Sequence, residues 1–410
     1  MNKELNNKFA KLLVKVGVNL QPGQGLVINC SVDAVELVRE VVDEAYKLGA
    51  SEVIINWSDS IIQKSIIQNS SLESLLIKDY QLARMHYLVD TNCAFLSISS
   101  PNPGIMAGVD MKNSVQASIQ NAPKVEFYRN NTMNNHAQWC VASYPNVDWA
   151  KKVFPDLSDE EAFVKLYEAI LSASHVGVDN DPIAEWDQLN KDMLSRNELL
   201  NEYNFESLHF KNSLGTDLEV GLVENHVWGG GGEHTTKGVY FNPNIPTEEN
   251  FTMPHNKKIN GYVYSTKPLN YEGKLIEDFW LKFENGKVVE FDARTHKEAL
   301  SNLINFDEGS SSLGEVALVP YYSPISLSNI LFYNTLFDEN ASCHLALGAA
   351  YIANNLTDGL KYSKEELKEI GCNLSNTHVD FMFGSKDMEI IGTKKDGSKV
   401  VVFKDGRFVI

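Results

Sequence analysis

Residues 25–57 read as strand, helix and strand, and that order commits the start of the chain to a parallel sheet. Gly25-Leu-Val-Ile-Asn-Cys30 is a short apolar run, a helix is expected from about Asp33 to Leu48 with Gly49 ending it, and Glu52-Val-Ile-Ile-Asn-Trp57 follows. Parallel neighbours need a crossover of a dozen or more residues, which this helix supplies. Before it, Phe9, Leu12, Leu13 and Val16 recur at helical spacing and predict a core-facing first helix. The apolar runs at Cys93–Ile98 and Gln138–Ala142 extend the sheet, and Ser99-Ser-Pro-Asn-Pro-Gly104 is a loop. Ser158-Asp-Glu-Glu161 is a capping box opening a helix lined by Phe163, Leu166, Tyr167, Ile170 and Leu171. A further helix is expected over about Ile183–Tyr203. Residues 1–190 are therefore expected to form an α/β domain of three layers around a mostly parallel sheet.

At 410 residues the chain exceeds one simple core, and from Phe205 its rhythm changes to strands joined by tight turns. Trp280-Leu-Lys-Phe-Glu-Asn-Gly-Lys-Val-Val-Glu-Phe291 is the clearest hairpin, because Asn285-Gly286 tolerates positive φ. Helices are expected near Arg294–Leu303 and Lys364–Glu369, and strands return at Val379–Phe383, Glu389–Ile391 and Lys399–Phe403. Residues 191–410 are thus expected to be an α+β domain with an antiparallel sheet.

That second half carries six candidate metal ligands: Glu249, Glu315, Glu339, His344, His378 and Asp380. Four carboxylates and two imidazoles match the charge of two divalent cations and point to a two-metal hydrolase. Glu249 ends a Pro-stiffened turn, Ile245-Pro-Thr-Glu-Glu249. Glu315 heads an apolar run after Gly314. Strand alternation puts His378 and Asp380 on one face. Glu248 adjoins Glu249; if the pair is extended the two side chains point opposite ways, leaving Glu248 as a general base or a supporting acceptor.

Read together, Asn244-Ile-Pro-Thr-Glu-Glu249, Gly314-Glu315, Asp338-Glu-Asn-Ala-Ser-Cys-His344-Leu-Ala-Leu-Gly348 and His378-Val-Asp-Phe-Met-Phe-Gly384 resemble the thermophilic-type metalloaminopeptidases, the aminopeptidase T and aminopeptidase S family. The opening βαβ half and Trp228-Gly-Gly-Gly231 match that family's order of elements, so the resemblance covers nearly the whole chain. It implies that Glu249, Glu315, Glu339, His344, His378 and Asp380 hold two divalent ions, that Tyr351 lies beside them, and that the protein is a homodimer acting on peptides.

In such a site a carboxylate bridges naturally, since its two oxygens can each take a different ion; Glu315 or Asp380 is the expected bridge, with His344 and His378 terminal. Mixed O and N ligands suit zinc, cobalt, manganese or magnesium. Tyr351 is expected to donate to the oxyanion formed as a carbonyl is attacked. If Leu345–Ala350 is helical, His344 and Tyr351 share a face two turns apart. The expected activity is removal of N-terminal residues from short peptides. Another dinuclear hydrolase, an amidase or phosphoesterase, shares the metal logic, although no Arg or Lys adjoins the ligand segments to meet phosphate. A non-catalytic metal-dependent binding protein is the alternative from another class.

The formal charge of −18 argues against nucleic acid, which needs a basic face. Five scattered cysteines without C-x-x-C pairing fit a reducing cytoplasm. The N-terminus lacks a signal-peptide pattern, and no apolar stretch approaches the roughly 20 residues of a membrane span. Gly229-Gly-Gly-Gly232 reads as a flexible loop near the substrate or a loose connection.

Overall fold

The computed structural model describes residues 2–410. The chain forms two compact units, Met1–Gln188 with Gly232–Pro246, and Leu189–Gly231 with Thr247–Ile410.

In the first unit four parallel strands stand in the order Glu52–Ser58, Gly25–Ser31, Ala94–Ser99, Trp139–Ser143. Gly25–Ser31 is buried along nearly its whole length, the pattern of a strand covered on both faces. The crossover helix Val35–Lys47 buries Leu37, Val38, Val41 and Ala45, one stripe at helical spacing. It stops because Gly49 takes φ +87° and Ala50 N–H donates back to Ala45 O at 3.0 Å. The capping box at Ser158 forms, with Glu161 N–H donating to Ser158 Oγ at 3.3 Å and Ser158 N–H to Glu161 Oε2 at 3.1 Å. The helix Pro182–Tyr203 carries the chain onward.

The second unit contains two main antiparallel sheets and a two-stranded ribbon, Leu269–Tyr271 with Lys274–Ile276. The larger runs Lys287–Asp292, Trp280–Glu284, Pro254–Tyr264, Asp217–Leu222, Phe205–Lys211, Glu389–Lys394, Lys399–Lys404, Arg407–Phe408. Its Asn285-Gly286 turn has φ of 49° and 85°, as the hairpin reading requires. The smaller sheet has the order His378–Met382, His344–Gly348, Leu313–Leu318, Asn250–Thr252. Leu208, Phe210, Val220, Ile259, Leu281 and Phe283 of the larger sheet share one hydrophobic cluster with Leu313, Val316, Leu318, Leu345, Leu347 and Phe381 of the smaller. The α/β first half and antiparallel second half are those expected from the sequence.

One local expectation fails. Leu345–Ala350 is not helical: His344–Gly348 is a central strand paired on both sides. An apolar run of this length suits a buried strand as well as a helix, and its partners decide. Among the described residues no helix is long and apolar enough to cross a membrane.

Candidate metal centre

The smaller sheet has one apolar face and one polar face, and alternation assigns each side chain. Leu345 and Leu347 enter the hydrophobic cluster, so His344 and Ala346 face the other way. Phe381 does likewise in the edge strand, leaving His378 and Asp380 opposite. In Leu313–Leu318 both Leu313 and Val316 join the cluster, which strict alternation forbids; a bulge between Leu313 and Glu315 restores the phase and turns Glu315 onto the polar face. Gly314 occupies the bulge, where a Cβ would meet Ala349 O at 2.1 Å. Glu315, Ala346 and Asp380 then lie in register across three strands. The small alanine leaves open space between the two carboxylates.

Four short contacts define the centre. His344 Nε2 lies 3.1 Å from Glu249 Oε2 and 3.4 Å from Glu315 Oε1. His378 Nε2 lies 3.6 Å from Glu315 Oε2 and 3.3 Å from Asp380 Oδ1. Glu249, Glu315 and His344 form one group able to hold a cation, and Glu315, His378 and Asp380 a second, with ligand atoms within 4.8 Å of one another in each. Glu315 belongs to both.

These distances fit metal ligation better than hydrogen bonding. Charge-assisted N–H···O bonds run about 2.7–2.9 Å, whereas the edge of a tetrahedron with metal–ligand bonds near 2.1 Å is about 3.4 Å. Each imidazole also has its other nitrogen against a backbone acceptor: His378 Nδ1 is 2.7 Å from Ala349 O and His344 Nδ1 3.3 Å from Ser342 O. With the ring proton on Nδ1, the Nε2 lone pairs face carboxylate oxygens, an arrangement that repels unless a cation lies between. Asp380 Oδ1 is buried without a hydrogen-bond partner. The mixed carboxylate and imidazole donors suit divalent ions of the zinc, cobalt and manganese type.

Glu339 lies in the single turn Glu339–Ala341, outside both groups. It is close enough that, beyond burial, the charges of Glu249 and Asp380 drive its carboxyl well above the usual range. Burial likewise raises Glu315, with Asp380 and Glu249 adding to the effect and His344 opposing it. Burial alone would lower both histidines, yet Glu249 and Glu315 hold His344 well above its ordinary value, and Asp380 and Glu315 raise His378 to about 9. Burial would raise Asp380, but His378 keeps it below the usual range. The cluster is starved of positive charge and retains protons to compensate.

Glu248 and Glu249 diverge, as an extended pair must. Glu249 reaches His344, while the charge of Glu248, after that of Asp192, acts against the burial that lowers Arg196. Glu248 N–H donates to Asn340 Oδ1 at 2.8 Å, tying this segment to the turn that carries Glu339. Asn340 escaped the sequence reading, since nothing in its spacing marks it. The glycine run is not a loose loop: Gly229 and Phe251 exchange two backbone hydrogen bonds of 2.9 Å. Gly230, at φ +127°, lies so near that a Cβ would meet Glu249 O at 2.0 Å.

Tyr351 follows the strand His344–Gly348 and a kink at Gly348, φ +114°, rather than two helical turns. Its ring centroid is 4.5 Å from that of His378, and Phe251 meets it edge-on at 6.5 Å. Phe251 was not foreseen either, although its place two residues after Glu249 in an extended segment puts both on one face. Burial, then the charges of Glu315, Asp380, Glu339 and Glu249, push the Tyr351 phenol far above its ordinary pKa. It keeps its proton and stays a donor.

The sequence model of the thermophilic metalloprotease (M29) family matches residues 2–408. Aminopeptidase 2 of Geobacillus stearothermophilus is 45% identical over 99% of this chain and 98% of its own. Aminopeptidase AmpS of Bacillus subtilis (strain 168) is 43% identical over 98% of each chain. Among solved structures, wild-type AmpT from Thermus thermophilus superimposes with a TM-score of 0.90 at 35% identity, covering 100% of both chains.

Proposed function

The chain belongs to the thermophilic metalloprotease (M29) family and is a metalloaminopeptidase; from that premise we propose that it cleaves the N-terminal bond of short peptides at a dinuclear centre. Glu249, Glu315, Glu339, His344, His378 and Asp380 would hold two divalent ions. The observation that carries this reading is Glu315, whose two oxygens face two different imidazoles. Such ions, when bound, would polarise the scissile carbonyl and acidify the attacking water.

The chain's own groups supply the rest. Tyr351 would donate its phenolic proton toward the oxyanion as it develops. Ala349 O and Ser342 O fix the tautomers of His378 and His344, so that both Nε2 atoms remain available. Glu248 supports the turn behind Glu249 through its backbone N–H bond to Asn340 Oδ1, which favours that role over general base. The chain's formal charge of −18 favours the approach of a substrate with a basic terminus.

The reading extends to a cytoplasmic homodimer. Five free, buried cysteines support a reducing compartment. Ile61, Ile62 and Ile66 stand exposed on the helix Ser60–Asn69, apolar surface that a second copy would cover.

The test is hydrolysis of aminoacyl-p-nitroanilides and their N-acetylated counterparts by chelated protein re-supplied with zinc, cobalt, manganese or magnesium, with metal content measured alongside. Cleavage of free-amine substrates alone, restored with two ions per chain, is expected. One ion per chain at full activity would overturn the dinuclear centre, and cleavage of acetylated substrates the exopeptidase selectivity.

A further inference from the structure

We propose that a cavity of about 70 Å³ beside Glu339 and Asp380 is the subsite that receives the side chain of the substrate's N-terminal residue, and that it selects apolar side chains of moderate size. The inference rests on the assignment of Glu339 and Asp380 to the metal centre. An aminopeptidase holds the free amine and the adjoining carbonyl at its metal ligands, so the side chain leaves from the single carbon between them. A cavity that has two of the assigned ligands in its wall lies within reach of that carbon.

The cavity is built rather than incidental. His378–Met382 is the edge strand of the smaller sheet, and Thr266 N–H donates to Met382 O at 2.9 Å. The segment that follows Thr266 thus runs beside the strand and supplies Leu269 to the wall. Opposite stands the segment Leu331–Asn334, held by one carboxylate. Asp338 Oδ1 accepts from Phe332 N–H at 2.7 Å and Oδ2 from Asn334 N–H at 2.9 Å, and Tyr333 N–H also donates to it. Between these points Tyr333 takes φ +54°, a left-handed backbone that a non-glycine residue keeps only when its surroundings hold it. Asp338 immediately precedes Glu339, so one turn of chain sets both the wall and a proposed ligand.

The wall chemistry decides what enters. Leu269, Leu331, Tyr333 and Met382 give apolar surface, and the oxygens of Asp338 are engaged by backbone N–H groups. A volume of about 70 Å³ corresponds to roughly five to seven water-sized positions. A Leu or Met side chain fits that space with room left, whereas an indole would fill it to its walls.

The experiment compares Gly-, Leu- and Trp-p-nitroanilide with the metal-reloaded wild type, Leu331→Ala and Leu331→Phe. Gly-p-nitroanilide, which has no side chain, is the internal reference, so any loss of folded protein cancels in each ratio of kcat/KM. The enlarged pocket of Leu331→Ala is expected to raise the Trp/Leu ratio about tenfold, and the filled pocket of Leu331→Phe to lower the Leu/Gly ratio by a similar factor. Ratios that stay at the wild-type values in both variants would overturn the subsite. Metal-dependent cleavage that survives Glu315→Gln at the wild-type rate would instead overturn the metal-centre assignment beneath it, which separates the two failures.

Discussion

Glu315 Oε2 lies 3.6 Å from His378 Nε2 although a whole strand, His344–Gly348, runs between their backbones. The side chains meet because Ala346 and Gly348, the residues facing them on that strand, offer nothing to fill the gap. Glu315→Gln keeps the shape and removes the charge that both groups share. Its kcat/KM on Leu-p-nitroanilide is expected to fall by roughly 10³-fold or more, with bound metal dropping below two per chain by elemental analysis. Near wild-type turnover with full metal would rule out a bridging role.

Tyr351→Phe keeps the ring against His378 and loses the phenolic donor. Bound metal and KM are expected to stay near wild type while kcat falls by roughly 10²–10³-fold, the usual effect of removing one oxyanion donor. Steady-state kinetics on the metal-reloaded variant decides it. A change confined to KM would place Tyr351 in substrate binding alone.

Metal removal should soften the second unit, because four clustered carboxylates are left to repel one another. Each bound ion contributes about 3 kcal/mol of stability when free metal is a hundred times its Kd. Differential scanning calorimetry is expected to report a lower Tm after chelation and recovery on reloading. An unchanged Tm after verified metal loss would show that the cluster folds without its cations.

Gly230→Ala tests how tightly the glycine run grips Glu249. The added Cβ would meet Glu249 O at 2.0 Å from a backbone at φ +127°, so about 2 kcal/mol of stability should be lost in urea titration, with activity falling as Glu249 shifts. Gly238→Ala is the control: its φ is +82° and no atom lies within 4 Å of the added carbon. That change should cost about 1 kcal/mol and leave the kinetics alone.

Asp387 gives an acid-side signature. Hydrogen bonds from Ser213 and Ser385 hold its carboxyl down to about 2, against 3.8 ordinarily. The folded state therefore binds this proton less readily than the unfolded chain. Its contribution is complete above pH 3.8 and is lost as pH falls toward 2. Because Asp387 is exposed, the contribution is small. Asp387→Asn is expected to flatten stability slightly across that window in acid titrations followed by circular dichroism, and to change nothing near neutrality. An unaltered acid limb would mean that Ser213 and Ser385 hold the turn without the charge.

Much of the fold was readable locally because local chemistry decides it. Gly25–Ser31 announces a doubly covered strand by apolar composition, Asn285-Gly286 fixes its hairpin by backbone tolerance, and Ser158 with Glu161 caps its own helix. The residues of the candidate site were readable and their geometry was not. His378 and Asp380 share a face by alternation alone, but the choice of Glu249 over Glu248 came from the family's motif. His344–Gly348 looked as helical as extended, since what makes it a strand are partners some thirty residues away on either side. Asn340 contributes through a contact that no spacing encodes, whereas the two-residue step from Glu249 to Phe251 does encode a shared face.

The bulge at Gly314 leaves the enzyme's chemistry depending on a counting rule. Deleting that one residue would give Leu313–Leu318 unbroken alternation, a tidier strand by every local criterion. Glu315 would still alternate onto the polar face, between Leu313 and Val316 on the apolar one, but one residue added between Glu315 and Val316 would turn it toward the greasy side. Insertions elsewhere on the surface can be absorbed by loops, whereas here a single residue of chain length separates a hydrolase from an inert sandwich of sheets.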